Sequence, residues 1–104
     1  MSQPPKKSEW IIGPEEMEAL PKSTVLVDVR EPEEFEHVHL EGAKLIPLGE
    51  LSQRAASELS TESEIVVYCA HGIRSMEALF GLKMLGFKKV RSLEGGLAAL
   101  GFNV

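Results

Sequence analysis

The chain has a single cysteine among its 104 residues, and that scarcity excludes a good deal. An intramolecular disulfide, a Cys-x-x-Cys redox pair and a cysteine-rich zinc site all need a second thiol. No resolving thiol stands within the chain either. Long apolar runs are also missing: nothing reaches the length of a membrane-spanning helix, so no membrane association is expected. Basic residues are outnumbered, 11 Lys and Arg against 16 Asp and Glu, and the formal net charge of −5 disfavours nonspecific attraction to nucleic acid or an anionic membrane surface. Any anion site must be built locally. The start, MSQPPKKSEW, has lysines but no apolar run after them, so it does not read as a secretory signal, and a reducing, cytoplasmic setting is expected. There is no internal repeat and no linker.

What is present is ordinary in amount. Apolar residues make up 43% and charged residues 26%, as in a globular domain. A chain of this length forms one core and buries roughly 60 to 70% of its unfolded surface. Residues 1–8, polar with a Pro-Pro pair, are expected to form a flexible tail, and residues 9–104 a single domain.

The segment EIVVYCAHGIRSMEALFGLKML, Glu64 to Leu85, organises the rest. An apolar run from Ile65 to Tyr68 leads into Cys69, then a short loop, then a helix expected from Ser75. Around it, strands are expected near Trp10–Ile12, Thr24–Val29, Lys44–Ile46 and Lys89–Leu93. Helical segments are expected after Pro14, from Pro32 to about His37, from Pro47 to Leu59 and from Leu97 to Leu100. TVLVDV, Thr24 to Val29, is apolar almost throughout, with Asp28 the exception. The few charges after Ser75 (Glu77, Lys83) predict a well-buried helix. Glu31, Glu33, Glu34 and Glu36 read as a solvated acidic helix face. Short strands alternating with helices predict an α/β fold with a mostly parallel central sheet of about five short strands and helices on both faces.

In such a sheet, ligands collect at the carboxyl ends of the strands, and a helix starting there aims unpaired N–H groups and its positive end into the loop. A lone cysteine at a strand end is by default an inert buried thiol. Here Gly72, Arg74 and Ser75 follow it at loop spacing, which points instead to a nucleophile. A free thiol with a pKa of about 8.5 is roughly 3% thiolate near neutral pH; at about 6.5 it is roughly three quarters ionised. The amides from Ala70 to Ser75 can supply that shift by converging on the sulfur, with Gly72 giving a backbone conformation other residues adopt poorly and Arg74 adding positive charge. Ser75 is expected to cap the helix. His71 can tune the loop's charge, touch substrate or stand by as an exposed spectator. No second ligand group is evident nearby, so no metal and no cofactor are expected.

CAHGIRS resembles the active-site loop of the rhodanese-like sulfurtransferases. LVDVREPEEFEHVHLEGAKLIPLGEL, Leu26 to Leu51, is similar to the family's first signature, and GFKKVRSLEGGLAAL, Gly86 to Leu100, to its C-terminal one. The resemblance covers nearly everything from Trp10 onward and implies a rhodanese-like fold. It implies that Cys69 accepts a sulfane sulfur as a persulfide, held by the amides of Cys69, Ala70, His71, Gly72, Ile73 and Arg74. The donor would be small (thiosulfate, a persulfide or a polysulfide), and the acceptor a thiol, cyanide or a protein cysteine. Asp28 and Arg30, from the Asp-Val-Arg match, would lie near the site, with Asp28 orienting Arg74; an ordinary ion pair or a solvated Arg30 is the plainer alternative. A monomer or weak dimer is expected.

The chain departs from the family pattern at Val38 and Glu41, where Gly and Pro are frequent, and at Leu100, often Trp. Ala70 stands where thiosulfate-preferring members carry a basic residue. Three rivals remain. A cysteine phosphatase uses five residues between Cys and Arg, whereas Ala70, His71, Gly72 and Ile73 make four; an arsenate reductase would need partner thiols; a noncatalytic partner-binding module would not need to keep the cysteine. Gly95-Gly96 is internal and reads as a turn.

Overall fold

The computed structural model describes residues 8–104. Five strands form one sheet: β1 (Ile11–Ile12), β2 (Val25–Asp28), β3 (Lys44–Leu45), β4 (Ile65–Tyr68) and β5 (Val90–Leu93). Their order is β1-β5-β4-β2-β3 and every pairing is parallel, so the sheet is wholly rather than mostly parallel. Four α-helices connect and cover it: α1 (Pro32–His37), α2 (Leu51–Glu58), α3 (Ile73–Met84) and α4 (Gly96–Ala99). 3₁₀ turns span Pro14–Ala19 and Leu48–Glu50. Among the described residues no helix is long and apolar enough to cross a membrane.

The central strand explains why both faces need cover. All four residues of β4 are buried, and their side chains alternate between two apolar clusters. Ile65 and Val67, followed by Cys69, join Val27, Leu51, Ala55, Leu79, Leu82 and Phe87 on the side of α2 and α3. Val66 and Tyr68 join Ile12, Leu93 and Leu97 on the side of the first 3₁₀ turn and α4. Parallel strands buried on both faces read as continuous apolar runs, which is what the sequence of β4 is.

The tail expected for residues 1–8 lies outside the described residues apart from Ser8, whose hydroxyl accepts from the amides of Trp10 and Ile11 at 3.0 and 2.7 Å. Helix α3 begins at Ile73, two residues before the expected Ser75, because Gly72 at φ 94° turns the chain directly into it. It ends on Gly86, also at positive φ, where the Gly86 amide bonds the Lys83 carbonyl and the Phe87 amide bonds that of Leu82, a Schellman closure with Phe87 tucked into the core. Well buried describes only one side of α3. Ala78, Leu79 and Leu82 face the core, while Ile73 and Met84 are 80% and 89% exposed and Phe80 is half-exposed. Scarce charge predicted burial, but part of this helix presents apolar side chains to solvent.

Strand order fixes where a site can form. From β2 the chain moves outward to β3, then returns to β4 on the other side of β2 and continues to β5. Crevices form at such reversals, beyond the carboxyl ends of the strands. The register pairs Asp28 with Tyr68 and Val67 with Ser92, so the ends of β2, β4 and β5 open on the same place. Cys69 is the first residue past β4.

Candidate active site

Leaving the central strand, the chain turns back on itself over Ala70, His71 and Gly72 before entering α3. That tight course brings amides onto the cysteine sulfur: Gly72 N–H donates to Sγ at 3.1 Å and Ser75 N–H at 3.3 Å. The Ser75 hydroxyl oxygen lies 3.6 Å from the same sulfur. Cys69 itself is 1% exposed. Burial works to raise the thiol, but the Ser75 hydroxyl and the amides of Ser75, Gly72 and His71 together outweigh it, holding Cys69 below the ordinary cysteine range. The thiolate is the nucleophilic form, so this environment favours reaction.

A second turn locks the first. Gly95 and Gly96, at φ 76° and 61°, start α4 so that its Leu97 and Ala98 amides donate to the carbonyls of Cys69 and Ala70, both at 3.0 Å. With those carbonyls engaged outward, the loop's N–H groups are left facing the sulfur. The fit is close: a Cβ on Gly96 would stand 2.5 Å from the Cys69 carbonyl oxygen and 2.6 Å from that of Ala70. Gly72 would meet the Gly95 nitrogen at 3.0 Å. Both positions need positive φ and the absence of a side chain.

The structure brings together most of the residues singled out in the sequence, with three corrections. Asp28 does not orient Arg74. It is fully buried and binds Arg30, which is 1% exposed, through the Arg30 Nη2 and Nε groups at 2.7 to 3.1 Å; Arg30 also donates to the Val38 carbonyl. A carboxylate two residues from a guanidinium at a strand end reaches its own neighbour first. Arg74 instead forks onto Glu34 of α1, Nη1 to Oε1 at 2.7 Å and Nη2 to Oε2 at 2.9 Å, so Glu34 is no solvated face residue. This pairing holds its carboxyl at about 2 despite some burial opposing it. Ser75 does not cap α3, because Gly72 occupies the cap position and Ser75 sits fully buried in the first turn, its hydroxyl turned to Cys69 and to Ser92.

His71 and Ile73 are exposed at the rim, whereas the Ala70 side chain is 4% exposed. Sequence reading missed Ser92 and Glu34. For Ser92 the only signal was a hydroxyl at the strand end next to the nucleophile's strand; for Glu34 no signal set it apart from Glu31, Glu33 and Glu36. Among the described residues no cluster of three or more His, Cys, Asp or Glu side chains is placed to hold a metal. The arrangement can hold a nucleophilic sulfur anion on main-chain donors beside a paired arginine.

A family model described as Rhodanese-like domain matches residues 13–101. The chain belongs to the rhodanese-like family. It is 39% identical over 87 residues to the uncharacterized protein YqhL of Bacillus subtilis, covering 84% of this chain and 68% of that protein. To the thiosulfate sulfurtransferase GlpE of Coxiella burnetii it is 35% identical over 75 residues, covering 72% of this chain and 69% of the other. Among solved structures, a rhodanese-related protein from Thermoplasma volcanium superposes with a TM-score of 0.79 at 30% identity, covering 88% of this chain and 89% of that one. Other curated relatives are longer, and the chain spans only 20% to 40% of their length. The rhodanese-like resemblance in the sequence is therefore confirmed, together with its fold, and sulfurtransferase-named relatives place sulfur transfer as the kind of chemistry to expect.

Proposed function

We propose that this domain is a sulfurtransferase in which Cys69 carries the sulfur. The Cys69 thiolate attacks the outer sulfur of a donor. One S–S bond forms on the enzyme as the donor's own bond to that sulfur breaks, and the leaving thiolate, or sulfite when the donor is thiosulfate, departs with the electron pair. An acceptor thiolate or cyanide then attacks the outer sulfur of the persulfide and releases the Cys69 thiolate unchanged. The observation that carries this reading is the convergence of the Gly72 and Ser75 amides on Sγ, donors suited to sulfur anions. Arg74 would add charge at the mouth of the loop, and Asp28 with Arg30 would brace the neighbouring strand end.

Ala70 brings no charge of its own to the loop, which favours a persulfide or polysulfide donor over thiosulfate. A lone, unpaired thiol that must stay reduced fits a reducing, cytoplasmic setting. A second reading, a partner-binding module, draws on the exposed row Ile73, Phe80 and Met84 along α3.

Intact mass after exposure to thiosulfate and, separately, to glutathione persulfide tests the proposal, with Cys69→Ser alongside. Addition of one sulfur atom to the wild type alone, removed by cyanide as thiocyanate, is the expected result. A folded, reduced protein that takes up no sulfur from either donor would leave the partner-binding reading in its place.

A further inference from the structure

Behind the cysteine lies a second hydroxyl that the sulfur does not touch. Ser92, in β5, is 1% exposed, and its Oγ lies 2.7 Å from the Oγ of Ser75, which is fully buried and 3.6 Å from Sγ of Cys69. Side chains from the loop after β4, from α3 and from β5 thus form one buried chain. Among the described residues Ser75 is the hydrogen-bond partner of the Ser92 hydroxyl. A hydroxyl has one hydrogen to give. If Ser92 gives its hydrogen to Ser75, the hydrogen of Ser75 is left for the sulfur, and the chain runs Ser92 to Ser75 to Cys69. That direction suits a thiolate, which can only accept. With Cys69 protonated, the thiol instead donates to the Ser75 oxygen and the chain runs the other way, from Cys69 to Ser75 to Ser92.

We propose that Ser92 is a positioning residue that orients the Ser75 hydroxyl towards Cys69 and thereby favours the sulfur anion. It acts through Ser75 and touches neither sulfur nor substrate. Hydrogen bonds in series polarise one another, and in a buried site the effect is not diluted by water. The alternative for Ser75, a residue in the first turn of a helix, is to turn its hydroxyl to a backbone carbonyl of the preceding turn, where it would be lost to the sulfur.

The Ser92 hydroxyl is bonded to Ser75, and none of the Ser92 substitutions adds or removes a charge among the charged and titratable groups around the loop. They are His71 in the loop, Arg74 of α3 with Glu34 of α1, Asp28 and Arg30 with Tyr68 at the ends of β2 and β4, and Glu94 after β5. An altered thiol reactivity in a Ser92 variant therefore reports the hydroxyl chain rather than a displaced charge.

The inference rests on the reading of Cys69 as a reactive thiolate, but its test needs no sulfur donor. The rate of Cys69 alkylation by iodoacetamide is followed against pH in the wild type, Ser92→Thr, Ser92→Val and Ser92→Ala. Thr and Val share a shape and differ in the hydroxyl. Below the wild-type midpoint, Ser92→Val and Ser92→Ala should react about three- to tenfold more slowly, as expected for the loss of one neutral hydrogen bond behind the sulfur, and Ser92→Thr should recover most of the rate. Ser75→Ala combined with Ser92→Ala should be no slower than Ser75→Ala alone. Equal profiles for Thr and Val, or additive losses in the double variant, would overturn the proposal. A measurement on the unaltered chain covers variants that do not fold: the Ser92 Cβ resonance should move through the midpoint of Cys69, and a resonance that stays still would count equally against it. Slowed alkylation without any persulfide formation would instead sink the sulfur-transfer reading and leave the role of Ser92 standing.

Discussion

Arg74 and Glu34, forty positions apart, meet in a two-pronged ion pair at 2.7 and 2.9 Å. The cation beside the loop is therefore already partnered, and an anionic donor must share it or displace the carboxylate. Glu34→Gln removes the competitor. A partly exposed charge pair is worth at most about 1 kcal/mol, roughly a fivefold change. The kcat/KM for thiosulfate should rise by about that factor while that for a neutral polysulfide stays level. Arg74→Ala should do the reverse, and equal losses for both donor types would remove the charge role from Arg74.

The same pair sets an acid limit. With the Glu34 carboxyl lowered to about 2 by Arg74, its contribution to stability is fully present above the ordinary carboxylate range and is lost as pH falls through about 2. Roughly a third of each side chain is exposed, so solvent holds the effect below about 1 kcal/mol. Thermal melts from pH 6 to pH 2 should show a shallower decline for Glu34→Gln than for the wild type. Glu58, paired with Arg54 and Lys44 and also lowered to about 2, titrates in both proteins and cancels in the comparison.

Two glycines separate backbone strain from lack of room. Gly42 and Gly96 both have positive φ, but nothing lies within 4 Å of a Cβ on Gly42, whereas on Gly96 it would run into the Cys69 and Ala70 main chain. Gly42→Ala should cost about 1 kcal/mol. Gly96→Ala should cost more than about 2 kcal/mol and lose sulfur loading as well. Urea denaturation with mass spectrometry of the persulfide distinguishes the two.

Asp28 and Arg30 form a pair in which neither side chain exceeds 2% exposure. Removing one partner strands a buried charge, at about 3–5 kcal/mol. Arg30→Met alone should fall in that range by urea denaturation. The double variant Asp28→Leu with Arg30→Met should recover a large part of it, and an additive loss would deny the pair its coupling.

The β4 strand, the loop after it and the turn at Gly95-Gly96 were legible in the sequence because each rests on a local rule: an apolar run, a glycine, a nucleophile at a strand end. Partner choice was not. Which carboxylate takes Arg74 depends on how α1 lies against α3, and nothing along the chain marks Glu34 apart from Glu31, Glu33 or Glu36. Ser92 was hidden for a related reason, since its partner is set by the packing of α3 on β5. The start of α3 was misplaced by two residues because Ser75 has the chemistry of a cap, and only the left-handed turn at Gly72 decides otherwise. Scarce charge on α3 predicts burial, yet sequence composition does not tell an inner face from an apolar outer one.

The carbonyls of Cys69 and Ala70 are engaged by α4, so the peptide planes of the loop cannot rotate without breaking bonds on the far side. A second element thus fixes the direction of the loop's amides, with those of Gly72 and Ser75 already turned to the sulfur. On the sulfur-transfer proposal, a donor would meet hydrogen-bond donors that need no reorientation to receive it.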